Sequence, residues 1–167
     1  MIHTISEFEQ YWKRECEATR KLLEQLTDKS LAQAVTPQDR TLGRMAWHIV
    51  TTIPEMMEKT GLTISGAKSG DPAPTTAAAI VMGYNLAAQS LIDQIKANWS
   101  DATLELEDEM YGEGWKRRTT LASLILHQAH HRGQMTVLMR QAGLKVPGVY
   151  GPAREEWSAF GMLEPAV

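Results

Sequence analysis

Three histidines are the residues whose type and placement point most directly to chemistry. His127 and His131 stand four apart in LASLILHQAHHRGQMTVLMRQAGL, residues 121–144. On a helix, residues four apart are surface neighbours with Cβ atoms roughly 5–6 Å apart, so both imidazoles can reach one point. A third, His48, lies in RMAWHIVTTIPEMMEK, where Met45, Ile49, Thr52 and Met56 mark the same inner face. Three neutral nitrogen donors suit Zn, Ni, Co or Fe(II) better than Mg or Ca. Three protein ligands also leave coordination positions open for water or substrate, the pattern of a catalytic rather than a structural site. A bare His-x-x-x-His also occurs on helices that bind nothing, so spacing alone leaves metal ligation and satisfied core or surface histidines both open.

The elements that must position these residues are helices. In residues 121–144, Leu121, Leu124, Ile125, Gln128, His131, Met135, Leu138 and Met139 recur at helical spacing. Thr119 or Thr120 is expected as N-cap and Gly143 as the left-handed residue that closes the helix. Gly133, in the interior, is expected to admit a neighbouring helix or a ligand closely. His130 lies about 100° from His131 around the axis and reads as a surface or interface residue. The His48 helix is expected over about 41–59, with Pro54 kinking or breaking it one turn beyond the histidine.

Two further helices complete a bundle. One spans about Ser6 to Leu26, with a Ser6/Glu9 capping box and a buried stripe through Ile5, Phe8, Trp12, Thr19, Leu22, Leu23 and Leu26. The other starts after Thr75 or Thr76 and reaches about Asn98, with Ile80, Tyr84, Ala87, Leu91, Ile95 and Trp99 inside. GLTISGAKSGDPAP, residues 61–74, is a loop without Walker or dinucleotide spacing, so no phosphate role attaches to it. Leu104 and Leu106 alternate with acidic residues before Tyr111, Gly112, Glu113 and Gly114, which predicts a short hairpin returning through Trp115 to Arg118. A short helix from Ala153 to Phe160, carrying Trp157, succeeds the loop VPGVYGP. The fold class expected is all-α: a four-helix bundle with long connections, a short C-terminal helix and a short extended hairpin before the last bundle helix, forming one domain over 1–167.

Composition limits the functional classes. Among 167 residues, 17 Lys and Arg face 20 Asp and Glu for a net charge of -3, which argues against a dedicated nucleic-acid binder. Cys16 is the single cysteine, so no intrachain disulfide is possible and a reducing cytoplasm is the expected compartment. No leader-like segment and no apolar run of about 18 residues is present, so no membrane insertion is expected. Cys16 itself reads as a small buried apolar residue within the first helix.

HQAHHRGQM, preceded by the Trp-His pair of RMAWHIV and succeeded by PGVYGP, resembles the DinB (DinB/YfiT-like) superfamily of metalloenzymes. The resemblance covers nearly the whole chain in length and helix order. It implies a four-helix bundle, often dimeric, whose divalent transition metal is held by one histidine of the second helix and two of the last. The matching positions are His48, His127 and His131. Despite the damage-inducible label of some members, the resemblance implies no DNA chemistry. Members with assigned activities use low-molecular-weight thiols such as bacillithiol, mycothiol or glutathione, as transferases or as a maleylpyruvate isomerase. For this chain the resemblance implies a Zn or Ni centre, a small-molecule thiol and an electrophile as partners, and a homodimer. The alternatives are a hydrolase or isomerase using metal-bound water, and a non-catalytic dimeric ligand-binding or stress-associated bundle.

The remaining candidates divide between site and scaffold. Gln134 lies three residues beyond His131 and can face the site. Arg132 reads first as a packing or salt-bridge residue. Arg117, Arg118 and Arg154 are candidates to receive a substrate carboxylate, against the ordinary expectation of exposed arginines. Trp47, Trp115, Tyr150 and Trp157 are candidate pocket walls, against the ordinary expectation of core aromatics.

Overall fold

A computed structural model describes residues 2–166. Its bundle helices are α1 (Ile5–Leu23), α2 (Leu42–Glu58), α3 (Ala77–Asn98) and α4 (Arg117–Gln141). Strands β1 (Glu107–Met110) and β2 (Glu113–Lys116) form an antiparallel hairpin directly before α4. Short 3-10 turns cover Asp28–Ala32, Asp101–Glu105 and Arg154–Phe160. Helix α1 packs on α3 and α4, and α2 packs on the same two, so the cyclic order is α1, α3, α2, α4. The histidine-bearing helices α2 and α4 are therefore adjacent. No helix among the described residues is long and apolar enough to cross a membrane.

The core grows from the stripes the spacing marks. Phe8, Trp12, Leu22 and Leu23 of α1 meet Ile80, Tyr84, Leu91 and Ile95 of α3 and Leu121, Leu124, Met135 and Met139 of α4, all essentially without solvent contact. At about 1.5–3 kcal/mol per fully buried large apolar side chain, this burial is what holds the four helices together.

Several local expectations are corrected. The α1 capping box is Thr4/Glu7 rather than Ser6/Glu9: Thr4 Oγ1 accepts from the Glu7 amide at 3.1 Å, and Glu7 accepts from the Thr4 amide at 3.2 Å. Starting two residues earlier lets the Ile5 amide donate to Asp101 at 2.8 Å, while Glu9 pairs with Lys96 of α3. Helix α4 likewise starts at Arg117, without a capping threonine. Its first residue is tied down from outside the helix: the Arg117 amide donates to Leu106, and its guanidinium grips Asp108 and the Thr60 carbonyl. Pro54 does not break α2, which runs through it, because Ile53 and Met57 on either side are fully buried and packing outweighs the lost backbone bond.

The close glycine is Gly83 of α3, not Gly133. Among the described residues a Cβ on Gly133 would meet nothing within 4 Å, whereas one on Gly83 would lie 2.8 Å from the Trp47 ring of α2. Trp47 cannot easily retreat, since its indole N–H donates to the Asp71 carbonyl at 2.9 Å. Gly83→Ala should therefore cost about 1–3 kcal/mol by overpacking. Equilibrium urea unfolding reads this directly, and an unchanged midpoint would show that α2 and α3 can slide apart.

The hairpin turn is explained by backbone geometry. Tyr111 and Gly112 have φ of 57° and 88°, the paired left-handed conformation of a two-residue turn that matches strand twist. Tyr111 tolerates it because its side chain is held, its hydroxyl donating to Glu55 of α2 at 3.1 Å and its ring lying under Lys59.

Candidate metal centre

His48, His127 and His131 come together at the middle of the α2–α4 groove. Each offers a ring nitrogen, and these nitrogens all lie within 4.8 Å of one another. The ring centroids are 4.3 Å apart for His127 and His131, 4.7 Å for His48 and His131, and 5.0 Å for His48 and His127. The two α4 imidazoles meet Nε2 to Nε2 at 3.1 Å.

Neighbouring groups decide which nitrogen of each ring is available. His131 donates from Nδ1 to Gln134 Oε1 at 2.7 Å, which leaves its Nε2 lone pair aimed at the cluster. His48 has Thr52 Oγ1 at 3.5 Å from Nδ1, and that hydroxyl spends its own proton on the His48 carbonyl at 2.6 Å. The Thr52 oxygen therefore faces Nδ1 as an acceptor and favours an Nε2 lone pair on His48 as well. His127 Nδ1 is buried with no partner among the described residues, so none of them fixes its tautomer. Nitrogen lone pairs converging at contact distance are mutually unfavourable without a shared proton or cation, and outer-sphere bonds to the far ring nitrogen are the usual device for orienting metal-binding histidines. The donor set fits a divalent transition metal.

Electrostatics keep the rings in the ligating form. Burial, then the Arg40 charge and the neighbouring imidazoles, push His48 down to about 4. Burial, then His131, His130 and Arg40, push His127 down to about 4. Burial also lowers His131, against the opposing hydrogen bond to Gln134. An unfolded histidine titrates near 6.5, so between pH 6.5 and 4 the unfolded chain binds more protons than the folded one. The stability contributed by His48 and His127 is whole above that window and is lost as pH falls through the folded values. Thermal melts of chelator-treated protein should therefore drop from pH 7 to 4, and His48→Ala should flatten the decline. Parallel curves for the two proteins would remove His48 as a cause.

The groove opens at both ends of the triad. Toward the start of α4, a cavity of about 280 Å³ is lined by His48, Thr52, Glu55, Met56, Ser123 and His127, with Tyr111 and Trp115 of the hairpin as its roof. Toward the end of α4, a cavity of about 460 Å³ is lined by Met45, His131, Gln134, Val137 and Leu138, with Val35, Asp39 and Arg40 of the loop before α2. A larger groove of about 760 Å³ between α1 and α3 has Cys16 in its floor, far from the imidazoles in the fold. Burial pushes the Cys16 thiol up to about 11, so it is no nucleophile at neutral pH.

The other candidates are sorted by what they touch. Gln134 and Trp115 are at the site, and His130 is exposed beside it. Arg117 is bound to Asp108 and Arg118 to Glu105, while Arg154 lies on the surface against Glu155, so none of the three reaches the triad. Arg132 is 2% exposed and belongs to the scaffold, paired with Glu15 of α1 and capped by Tyr150. Trp47 anchors the 61–74 loop, and Trp157 lies half-buried in the last 3-10 turn. Sequence reasoning misses Glu55, Tyr111 and Arg40 as site residues. Glu55 carries a usable signal, lying seven residues beyond His48 on the same helix face, whereas Tyr111 and Arg40 reach the site only through the hairpin and loop.

A sequence profile of the DinB family matches residues 1–165. The chain belongs to that family. It is 46% identical over 165 residues to YrdA, an uncharacterised protein of Bacillus subtilis strain 168, with 99% of each chain covered. The crystal structure of a DinB-like protein from Bacillus cereus superposes with a TM-score of 0.86 at 47% identity, covering 90% of this chain and 100% of that one. A DinB-like protein of Bacillus subtilis, YjoA, shares the fold at a TM-score of 0.68 and 16% identity, over 87% of this chain and 98% of its own. These DinB relatives establish the bundle, and the metal reading rests on the three imidazoles themselves.

Proposed function

We propose that His48, His127 and His131 hold a divalent transition metal, Zn or Ni, and that the protein is a metal-dependent enzyme joining a low-molecular-weight thiol to an electrophile. The observation that carries this reading is the position of the triad, midway along a groove with a separate cavity at each end. A bimolecular transfer needs two molecules to meet at one point from different directions, and two cavities supply the approaches. Volumes of about 280 and 460 Å³ leave room for a thiol tail and a second small molecule beside the triad.

A bound ion of this class favours thiolate over thiol and so supplies a nucleophile at neutral pH. The protein's own groups orient and shelter the reaction. Gln134 and Thr52 set the rings of His131 and His48, and the hairpin roof of Tyr111 and Trp115 restricts water at the smaller cavity. With an alkyl halide, sulfur forms the new bond to carbon as halide leaves with the bonding pair and the thiol proton passes to solvent; with an epoxide or an activated alkene, the broken C–O or π pair stays on the product and takes up a proton there, so the thiol is added across the bond.

The test is elemental analysis of tag-free protein, then conjugation assays that pair glutathione or a related thiol with alkyl halide, epoxide and activated-alkene electrophiles, with and without chelator. Near-stoichiometric metal and chelator-sensitive turnover are expected. Stoichiometric metal with no turnover for any pair would reject the transferase reading, and no metal uptake even from added Zn or Ni would reject the centre.

A further inference from the structure

The larger cavity beside the triad has a chemical polarity of its own. Its wall includes Val35, Met45, Val137 and Leu138, and Val35 and Val137 remain 60% and 54% exposed. The same cavity is lined by the buried His131 and by the exposed Arg40. Asp39 also lines it, and its carboxylate is turned to Thr36 Oγ1, from which it accepts at 2.8 Å, rather than to Arg40. Among the described residues Arg40, like Arg14, Arg20 and Arg44, has no carboxylate partner, and of these four it alone lines this cavity. Arg40 and His131 line the same cavity, so a ligand held by the guanidinium has the imidazole within the same space.

We propose that this cavity receives a small organic acid, with its carboxylate on Arg40, its apolar body along Val35, Met45, Val137 and Leu138, and its reacting end at His131. A guanidinium matches a carboxylate in two parallel hydrogen bonds and fixes orientation as well as charge. Apolar walls with one polar anchor are the usual composition of a small-molecule site. The smaller cavity differs in both respects: its charged wall residue is Glu55, engaged by Tyr111, and its roof is aromatic. An anion is therefore favoured at the Arg40 end and a neutral molecule at the hairpin end. The assignment of the acid as the thiol substrate rests on the transferase reading; the acid site itself does not.

Arg40→Gln tests it, because Arg40 is exposed in a loop and outside the core. Cobalt-loaded wild type and variant, with cobalt content checked by elemental analysis, are titrated with 3-mercaptopropionate and with its methyl ester, monitoring sulfur-to-cobalt charge-transfer absorption. In parallel, 4-phenylbutyrate binding to both proteins as purified is measured by calorimetry. Arg40→Gln should weaken the thiol acid by about tenfold and the ester by less than about twofold, and should weaken 4-phenylbutyrate by about tenfold. Equal weakening of acid and ester, or none for either, overturns the proposal. If neither thiol produces the charge-transfer band, the thiol reading fails alone. The acid site is then decided by 4-phenylbutyrate, sustained by binding that Arg40→Gln loses and overturned by equal binding, or none, in both proteins.

Discussion

Arg132→Ala is expected to destabilise the protein by about 3–5 kcal/mol, a fall in Tm on the order of 10 °C. Arg132 lies beside His131 in sequence but points the other way, into the contact between α1 and α4. Its guanidinium meets the Glu15 carboxylate, the Glu15 carbonyl at 3.2 Å and Thr19 Oγ1 at 2.8 Å, and the Tyr150 hydroxyl closes the cluster from the C-terminal segment. Thr19 and Tyr84 both donate to Gln128 Oε1, so the polar chain continues to α3. Truncating Arg132 leaves the Glu15 carboxylate buried without its counter-charge, and that uncompensated charge dominates the cost. Replacing both partners, Arg132→Met with Glu15→Leu, should recover most of the loss because no orphan charge remains. Urea unfolding of the two variants decides the matter. If the double variant is as unstable as Arg132→Ala, the network stabilises through shape and hydrogen bonding rather than charge pairing.

This network also shows how far the sequence could be read. The four bundle helices and their inner faces were legible because each repeats a pattern every 3.6 residues, and burial enforces that pattern wherever a face meets the core. His48, His127 and His131 were legible for the same reason, each lying on an apolar stripe at a position that must turn inward. The hairpin was legible from its turn residues instead, since Leu104 and Leu106, whose alternation predicts the strand, lie in and just after the 3-10 turn Asp101–Glu105, ahead of β1. Element ends were less legible. Thr4/Glu7 and Ser6/Glu9 fit one capping pattern equally well, and the choice fell to Asp101, which receives the Ile5 amide from nearly a hundred residues away. Arg117 starts α4 for a comparable reason, through Asp108 and Thr60. The loop segments that roof the cavities carry no periodic signal. Arg40 lines the cavity beside His131 from the 33–41 loop, and Tyr111 lines the one beside His48 and His127 from a left-handed turn. PGVYGP, which sequence could match only to a family pattern, contributes Tyr150 to a buried ion pair.

His127→Ala should reduce metal affinity by more than two orders of magnitude while leaving the bundle folded. Removing an outer-sphere partner of a metal-binding histidine already costs about 10–100-fold in affinity, and deletion of one of three direct donors must cost more. The fold should survive because His127 is only half-buried and, among the described residues, its Nδ1 has no partner and its Nε2 hydrogen-bonds to His131 alone. The core face of α4 is secured instead by Leu121, Leu124, Met135 and Met139. Wild type with metal at a hundred times its dissociation constant should gain about 2.7 kcal/mol, read as a rise in Tm of about 5–10 °C. His127→Ala under the same conditions should show little rise, with a metal-free melt close to that of the metal-free wild type. His130→Ala supplies the control, since His130 is exposed one position before His131, and it should keep both the metal and the thermal shift. Stoichiometric metal in His127→Ala would place the ion elsewhere, and loss of metal in His130→Ala but not His127→Ala would move the site to the outer face of α4. Retention in His130→Ala with loss in His127→Ala ties binding to the inner face, the one geometry in which all three imidazoles act on the same ion.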